Sequence, residues 1–281
     1  MATYLTANAV GEREDLSDVI TRIDPAETPI FSNGKKITTS GVFHEWQVQE
    51  LTAASDTNYQ SEGADYTYTN PTATTRLGNY HQISIQAASV SGTLDVVDKA
   101  GRDKETAYVK VLKGLEQRRD IEKALCKNEA RVASPEPRKA GKISSYITNV
   151  SLVSPSTTPT GDGTDVSDKA GTDAALTLAK IDVAMKAAYE DGGQPNMLVV
   201  SPANKVAFSD LSGGGVATQQ LQYTAPKEVA IVGSVSLYLT DFGELSVTID
   251  RQMPNDTIFL LDSNNYSIGS SITNVATIQG C

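Results

Sequence analysis

The chain has 281 residues, 39% of them apolar and 21% charged, with a formal net charge of −10. That length and composition build an ordered core without metals or disulfides, and no stretch approaches the ~18 apolar residues of a membrane-spanning helix. Cys126 and Cys281 are the only cysteines, so neither a disulfide framework nor a zinc site is available; folding in a reducing cytoplasm fits this usage.

The opening residues, MATYLTANAVGERED, lack the basic flank and apolar block of a secretory signal. Leu16, Val19, Ile20 and Ile23 recur at helical spacing and predict a short helix. It stops by Asp24, because Pro25 disfavours helical geometry in the residue before it. The next segment, DPAETPIF, holds Pro25 and Pro29 and is expected to lie extended against another surface.

Residues 42–48 alternate between apolar and polar, as do residues 82–86, and both read as strands. Between them runs a polar stretch, TAASDTNYQSEGADYTYTNPTATT, with too few aliphatic residues for a core of its own. Two strands joined by a polar tip make a protruding hairpin. A lone hairpin is marginal in water, so this one should rest on another surface.

Residues 102–131 give the strongest helical signal, with Ala107, Val111, Gly114, Arg118, Ile121 and Leu125 on one stripe. Asp103 is the expected N-cap. A run of ~28 residues would extend roughly 42 Å at 1.5 Å per residue. Residues 101–142 also hold 12 of the 24 Lys and Arg against 7 acids. This basic excess is either a solvated face with ion pairs or a surface that meets a polyanion or an acidic neighbour. The acidic chain as a whole argues against sequence-specific nucleic-acid binding.

Residues 151–171 read as a surface loop. Leu178, Ile181, Met185, Ala188 and Tyr189 mark a second amphipathic helix, closed by Gly192 and Gly193. Met197–Val200 is a short buried strand. Ser201-Pro202 then opens a third helix that runs to about Leu211, and residues 213–215 make a flexible break. From Val235 onward, VSLYLTD, ELSVTID and TIFLLD read as an antiparallel meander, followed by weak strand character around 266–268. The order of elements is α+β, with no internal repeat.

Catalytic constellations are hard to find. His44 and His81 read as cross-strand polar pairing, since a zinc site needs three or four ligands. No G-x-S-x-G elbow is present, and the glycines at 213–215 lack the Lys-Ser/Thr of a phosphate loop. Asp162, Asp165 and Asp168 miss the spacing of a calcium loop and read as a solvated turn. Glu244 and Asp250 read as ordinary surface acids. Trp46 is either a core residue or an inter-subunit contact. What remains is an extended arm, a polar hairpin and a long helix, the features of a chain that completes its core against copies of itself.

Several segments carry a family resemblance: RIDPAETPIFS in the arm, DKETAYVKVLKGLEQRRDIEKALCKNE in the helix, LTLAKIDVAMKAAYEDGGQPNMLVVSPANKVAFSDL, and the final VSLYLTDFGELSVTIDRQMPNDTIFLLD. In their order and content the chain resembles the major capsid proteins of tailed bacteriophages with the Hong Kong 97-type fold. The resemblance implies an N-terminal arm over 1–35 and an extended E-loop hairpin over 36–90. It implies a P-domain with a spine helix over 91–149, an A-domain over 150–244, and C-terminal strands over 245–281 that complete the P-domain.

The implied function is structural and non-enzymatic, with no cofactor. The chain would self-assemble into hexamers and pentamers that form an icosahedral head around non-specifically packaged double-stranded DNA. Trp46, Tyr59, Tyr66 and Tyr68 are the expected inter-subunit contacts of the E-loop. Arg118, Arg119, Lys123 and Lys127 are expected either on the inner surface or in ion pairs. Because TPIF lies within 30 residues of Met1, a separate scaffolding protein is expected. A portal protein and room for a decoration protein complete the partners, with no membrane. Assembly is expected in the host bacterial cytoplasm and residence in the virion. An encapsulin-type compartment shell is the alternative on the same fold, and a hydrolase or lectin-like domain the alternative on another.

Overall fold

The computed structural model describes residues 15–66, 68, 70–148, 159–166, 175–213, 236–271 and 275–279. In chain order the elements begin with α1 (Pro29–Asn33), β1 (Lys35–Thr38), β2 (Phe43–Val48), β3 (Thr75–Tyr80) and β4 (Gln82–Ile83). Next come α2 (Gly92–Val96), α3 (Glu105–Leu125), a 3-10 turn at Ile143–Tyr146, α4 (Leu178–Glu190), β5 (Met197–Val200) and α5 (Pro202–Gly213). The last are β6 (Leu237–Thr240), β7 (Gly243–Ile249), β8 (Phe259–Leu261), β9 (Ser267–Ser271) and β10 (Val275–Gln279). Of the described residues, 15–27 and 85–118 form one compact unit, and those within 28–84 and from 119 onward form another.

β5 organises the larger unit. All four of its residues are buried, as its unbroken apolar sequence requires, and side chains two apart share a face. Met197 and Val199 join a core with Ile30, Leu125, Cys126, Phe259 and Ile268. Leu198 and Val200 face the other way, into a core with Ile181, Met185, Phe208 and Leu245. α4 and α5 therefore cover one face of the sheet. Ser201 caps α5 by accepting the Asn204 amide on its Oγ at 3.2 Å. α4 ends where Gly192 takes φ +84°, the left-handed geometry that favours glycine.

The meander reading needs correction. β6 and β7 form the expected antiparallel hairpin, but β7 does not pair with β8. β5 lies between them, parallel to β7 and antiparallel to β8. A second four-stranded sheet has the order β1-β9-β10-β4, with β1 parallel to β9. The weak strand signal at 266–268 is the start of β9.

The hairpin is also shifted. β2 pairs with β3, Phe43 opposite Tyr80 and Val48 opposite Thr75, whereas Gln82 and Ile83 pair with β10 in the other sheet. His44 therefore faces Asn79, not His81. His81 is buried, with its Nε2 2.9 Å from Thr39 Oγ1.

In the smaller unit the expected helix at 16–23 is absent, and Ile23 is 91% exposed. So short a helix gains nothing until its apolar stripe is covered. Of the segment expected to lie extended, residues 24–28 hold no helix or strand, whereas its end, in the larger unit, opens α1, which starts on Pro29 and buries Ile30 completely. α3 has 21 residues, fewer than expected. Its N-terminus is served not by Asp103 but by Asp95, whose Oδ1 accepts the Thr106 amide at 3.0 Å. That amide holds the Asp95 carboxyl below its ordinary value. At the other end, Lys127 N donates to Ala124 O and tightens the last turn.

Most of the 151–171 loop lies outside the described residues, as do Asp168, Gly214, Gly215 and Cys281.

Candidate subunit-interface surface

The foot of the β2–β3 hairpin is bonded to the 141–146 turn. Asn79, fully buried on β3, donates from Nδ2 to Gly141 O at 3.0 Å and accepts the Gly141 amide on Oδ1 at 2.8 Å. The Tyr146 hydroxyl donates to Gly78 O at 3.0 Å, and the Arg131 guanidinium donates to the same oxygen. Burial raises the Tyr146 phenol above its ordinary range. Lys142, also buried, donates from Nζ to Gln82 Oε1 at 2.6 Å. Desolvation pushes its ammonium down to about 8, against the pull of Glu129.

Beyond this foot the hairpin contributes nothing to either core. Every described residue from 49 to 76 is exposed. Its own links are peripheral: Gln49 Nε2 to Thr72 O, Thr74 Oγ1 to Gln47 Oε1, and the Arg76–Glu45 ion pair at 3.6 Å.

Of the aromatic residues singled out from sequence, Tyr59, Tyr66 and Tyr68 are on this arm, 79%, 82% and 93% exposed. Trp46 is apart from them at the foot, half-buried, with its ring 5.6 Å from that of Tyr146. Its Nε1 is buried without a hydrogen-bond acceptor among the described residues. The basic residues follow α3: Arg118 and Lys123 are exposed, Arg119 is half-buried, and Lys127, just past the helix, pairs with Glu129 at 3.4 Å. The spacing of 119 and 123 puts those two on one side of α3.

Two acids were misread or missed. Asp250 is not a surface residue but fully buried, as is Glu122. Glu122 Oε1 and Oε2 accept the amides of Ile30 and Phe31 at 2.7 and 2.8 Å. The available signal was its place beside Ile121 and Leu125 on the apolar stripe. Glu244 is exposed as expected, on an open cleft of about 520 Å³ that it lines with Asn33, Asn196, Met197, Ser246 and Ser263. Asp162 and Asp165 accept hydrogen bonds from Thr160 and Thr164. Among the described residues no group of His, Cys, Asp and Glu could hold a metal ion, and no helix is long and apolar enough to cross a membrane.

This arrangement of sheets, long helix and projecting hairpin is the fold of phage capsid proteins. A structure titled as the capsid asymmetric unit of cyanophage A-1(L) aligns with a TM-score of 0.59 at 16% identity, over 94% of this chain and 78% of that one. A structure from Microbacterium phage Oxtober96 aligns at 0.54 and 14% identity, with the same coverages. The capsid of a native GTA particle aligns at 0.54 and 12% identity, over 97% of this chain and 90% of that one. The family of the SU10 major capsid protein matches residues 2–273, and the chain belongs to it. A curated relative, the major capsid protein of Escherichia phage Phieco32, is 27% identical over 128 residues. That match spans 46% of this chain and 36% of the relative's length.

Proposed function

We propose that this chain is the repeating shell subunit of a tailed-phage head. It self-assembles into hexamers and pentamers that close as an icosahedron around double-stranded DNA. The observation that carries this reading is the arm of residues 49–76, exposed throughout its described length. A polar hairpin of that length is ordered by a surface that its own chain does not provide. A neighbouring copy provides one in every subunit of a closed shell.

The finer reading follows the Hong Kong 97-type plan: arm 1–35, E-loop 36–90, P-domain 91–149, A-domain 150–244 and completing strands 245–281. Tyr59, Tyr66, Tyr68 and Trp46 contact the adjoining subunit, as aromatics do in many interfaces. Arg118, Arg119, Lys123 and Lys127 meet packaged DNA through its phosphates, or acidic neighbours through ion pairs. A separate scaffolding protein and a portal act during assembly in the host cytoplasm, and a decoration protein has room on the finished head. The role is structural, without catalysis or cofactor.

Electron microscopy of the purified protein tests this. Shell-sized closed particles are expected; a chain that stays monomeric even with its scaffolding protein supplied would overturn the reading, and particles filled with a cargo enzyme would favour a compartment. Deleting residues 52–68 should preserve the fold and abolish assembly. Normal particles from that variant would refute the role given to the arm.

A further inference from the structure

Asn33 and Gly34 form the one Asn-Gly pair in the sequence. In an unfolded chain such a pair converts itself. The Gly34 nitrogen attacks Asn33 Cγ, because glycine has no side chain to obstruct the approach. The N–Cγ bond forms, the Cγ–Nδ2 bond breaks, and ammonia leaves with the proton from the Gly34 nitrogen. Water then opens the cyclic imide to an aspartyl or isoaspartyl residue at 33.

The fold holds each reacting group elsewhere. Asn33 is the last residue of α1, and helical backbone, with ψ at about −42°, does not bring the following nitrogen onto Cγ. The Gly34 amide donates to Ile30 O at 3.1 Å, so the nucleophile keeps its proton. Asn33 Nδ2, the leaving group, donates to Met197 Sδ at 3.4 Å. Gly34 is buried, and a Cβ there would lie 2.5 Å from Tyr266 Cε2, so packing admits no larger residue after Asn33. α1 has only five residues and would not persist as a helix by itself. Glu122 holds its start by accepting the Ile30 and Phe31 amides. Tyr266 holds its end, because its hydroxyl donates at 3.0 Å to the same Ile30 oxygen that Gly34 uses.

We propose that Asn33 is a deamidation site that the docking of α1 keeps shut, so that a subunit whose α1 stays undocked is marked irreversibly. Only the fraction of molecules in which α1 has opened can react. Either product replaces the Asn33 amide with a carboxylate, which has no N–H for Met197, and places it in the cleft that Asn33 lines together with Glu244. The isoaspartyl product also lengthens the main chain by one carbon between α1 and β1. That carbon displaces Gly34 from Ile30 O and from the Tyr266 ring, so the end of α1 does not close again. The inference concerns the subunit itself and stands apart from the shell reading.

The test is peptide mapping by mass spectrometry of the purified full chain, incubated at neutral pH in native buffer and in guanidinium chloride. In the denaturant Asn33 should convert faster than any other asparagine. In native buffer it should convert at least about tenfold more slowly than in the denaturant, since reaction waits on local opening. Tyr266→Phe, which lacks the hydroxyl on Ile30 O, should raise the native rate and leave the denatured rate unchanged. Glu122→Ala should do the same more strongly. Chains converted in the denaturant and returned to native buffer should be less stable than unconverted chains treated alike. Equal wild-type rates in the two conditions, a native rate unmoved in Tyr266→Phe, or undiminished stability after conversion would each overturn the proposal. If Glu122→Ala does not fold, the wild type and Tyr266→Phe still decide.

Discussion

Glu122 Oε1 accepts the Ile30 amide at 2.7 Å although the two residues are 92 positions apart in the chain. With Phe31 bonded to the second oxygen, one side chain satisfies two buried donors at the start of α1. Tyr266 closes the group from a third segment by donating to Ile30 O.

Removing that carboxyl strands both amides. Glu122→Ala should lower unfolding stability by about 2 to 5 kcal/mol, as expected for two buried N–H groups without acceptors. Urea denaturation of the purified subunit reads this directly. A loss below about 1 kcal/mol would mean that α1 re-pairs its donors elsewhere.

Gly78 concerns the hairpin foot. A Cβ there would lie 2.5 Å from Phe43 Cζ and 2.9 Å from His44 O, and backbone cannot yield as a flexible side-chain end can. Gly78→Ala should cost about 1 to 3 kcal/mol by overpacking. Trp46 is the only tryptophan, and its ring rests against Tyr146, so its fluorescence reports the damage locally. A shifted emission maximum with a lowered melting temperature is the expected pair of results.

Lys142 sets an alkaline dependence. Its ammonium is held down at about 8 by burial, against an ordinary 10.5. Between those values the unfolded chain binds a proton that the folded chain lacks, so stability rises with pH across that window. Below it both forms are charged, and the burial penalty stands in full. Lys142→Met removes this dependence. Relative to the variant, the wild type should gain at most about 2 to 3 kcal/mol between about pH 7.5 and about pH 10, measured by denaturant titration at both ends.

The sequence reads most clearly where one segment decides its own fate. Met197–Val200 is apolar on both faces and is buried on both. Ser201-Pro202 announces α5, and the periodic residues of α4 bury Ile181 and Met185. The reading fails where a distant partner decides. TRLGNY looks a poorer strand than QISIQ, yet it wins the hairpin: Gly78 leaves room for the Phe43 ring, and Asn79 is bonded twice to Gly141. Residues 16–23 have helical spacing but no cover for it. Asp250 sits at the end of an alternating strand, and only its burial beside the remote Cys126, whose thiol it accepts, reveals it as an interior group. The arm was legible as polar and projecting because its composition alone denies it a core.

The insertion of β5 between β7 and β8 has a bearing on synthesis. A ribosome that has released only as far as residue 250 holds a chain whose central strand is still bare along one side. β9, the partner of β1 among the described residues, is also still inside the exit tunnel. The sheets of the larger unit are therefore completed only after nearly all of the polypeptide has emerged.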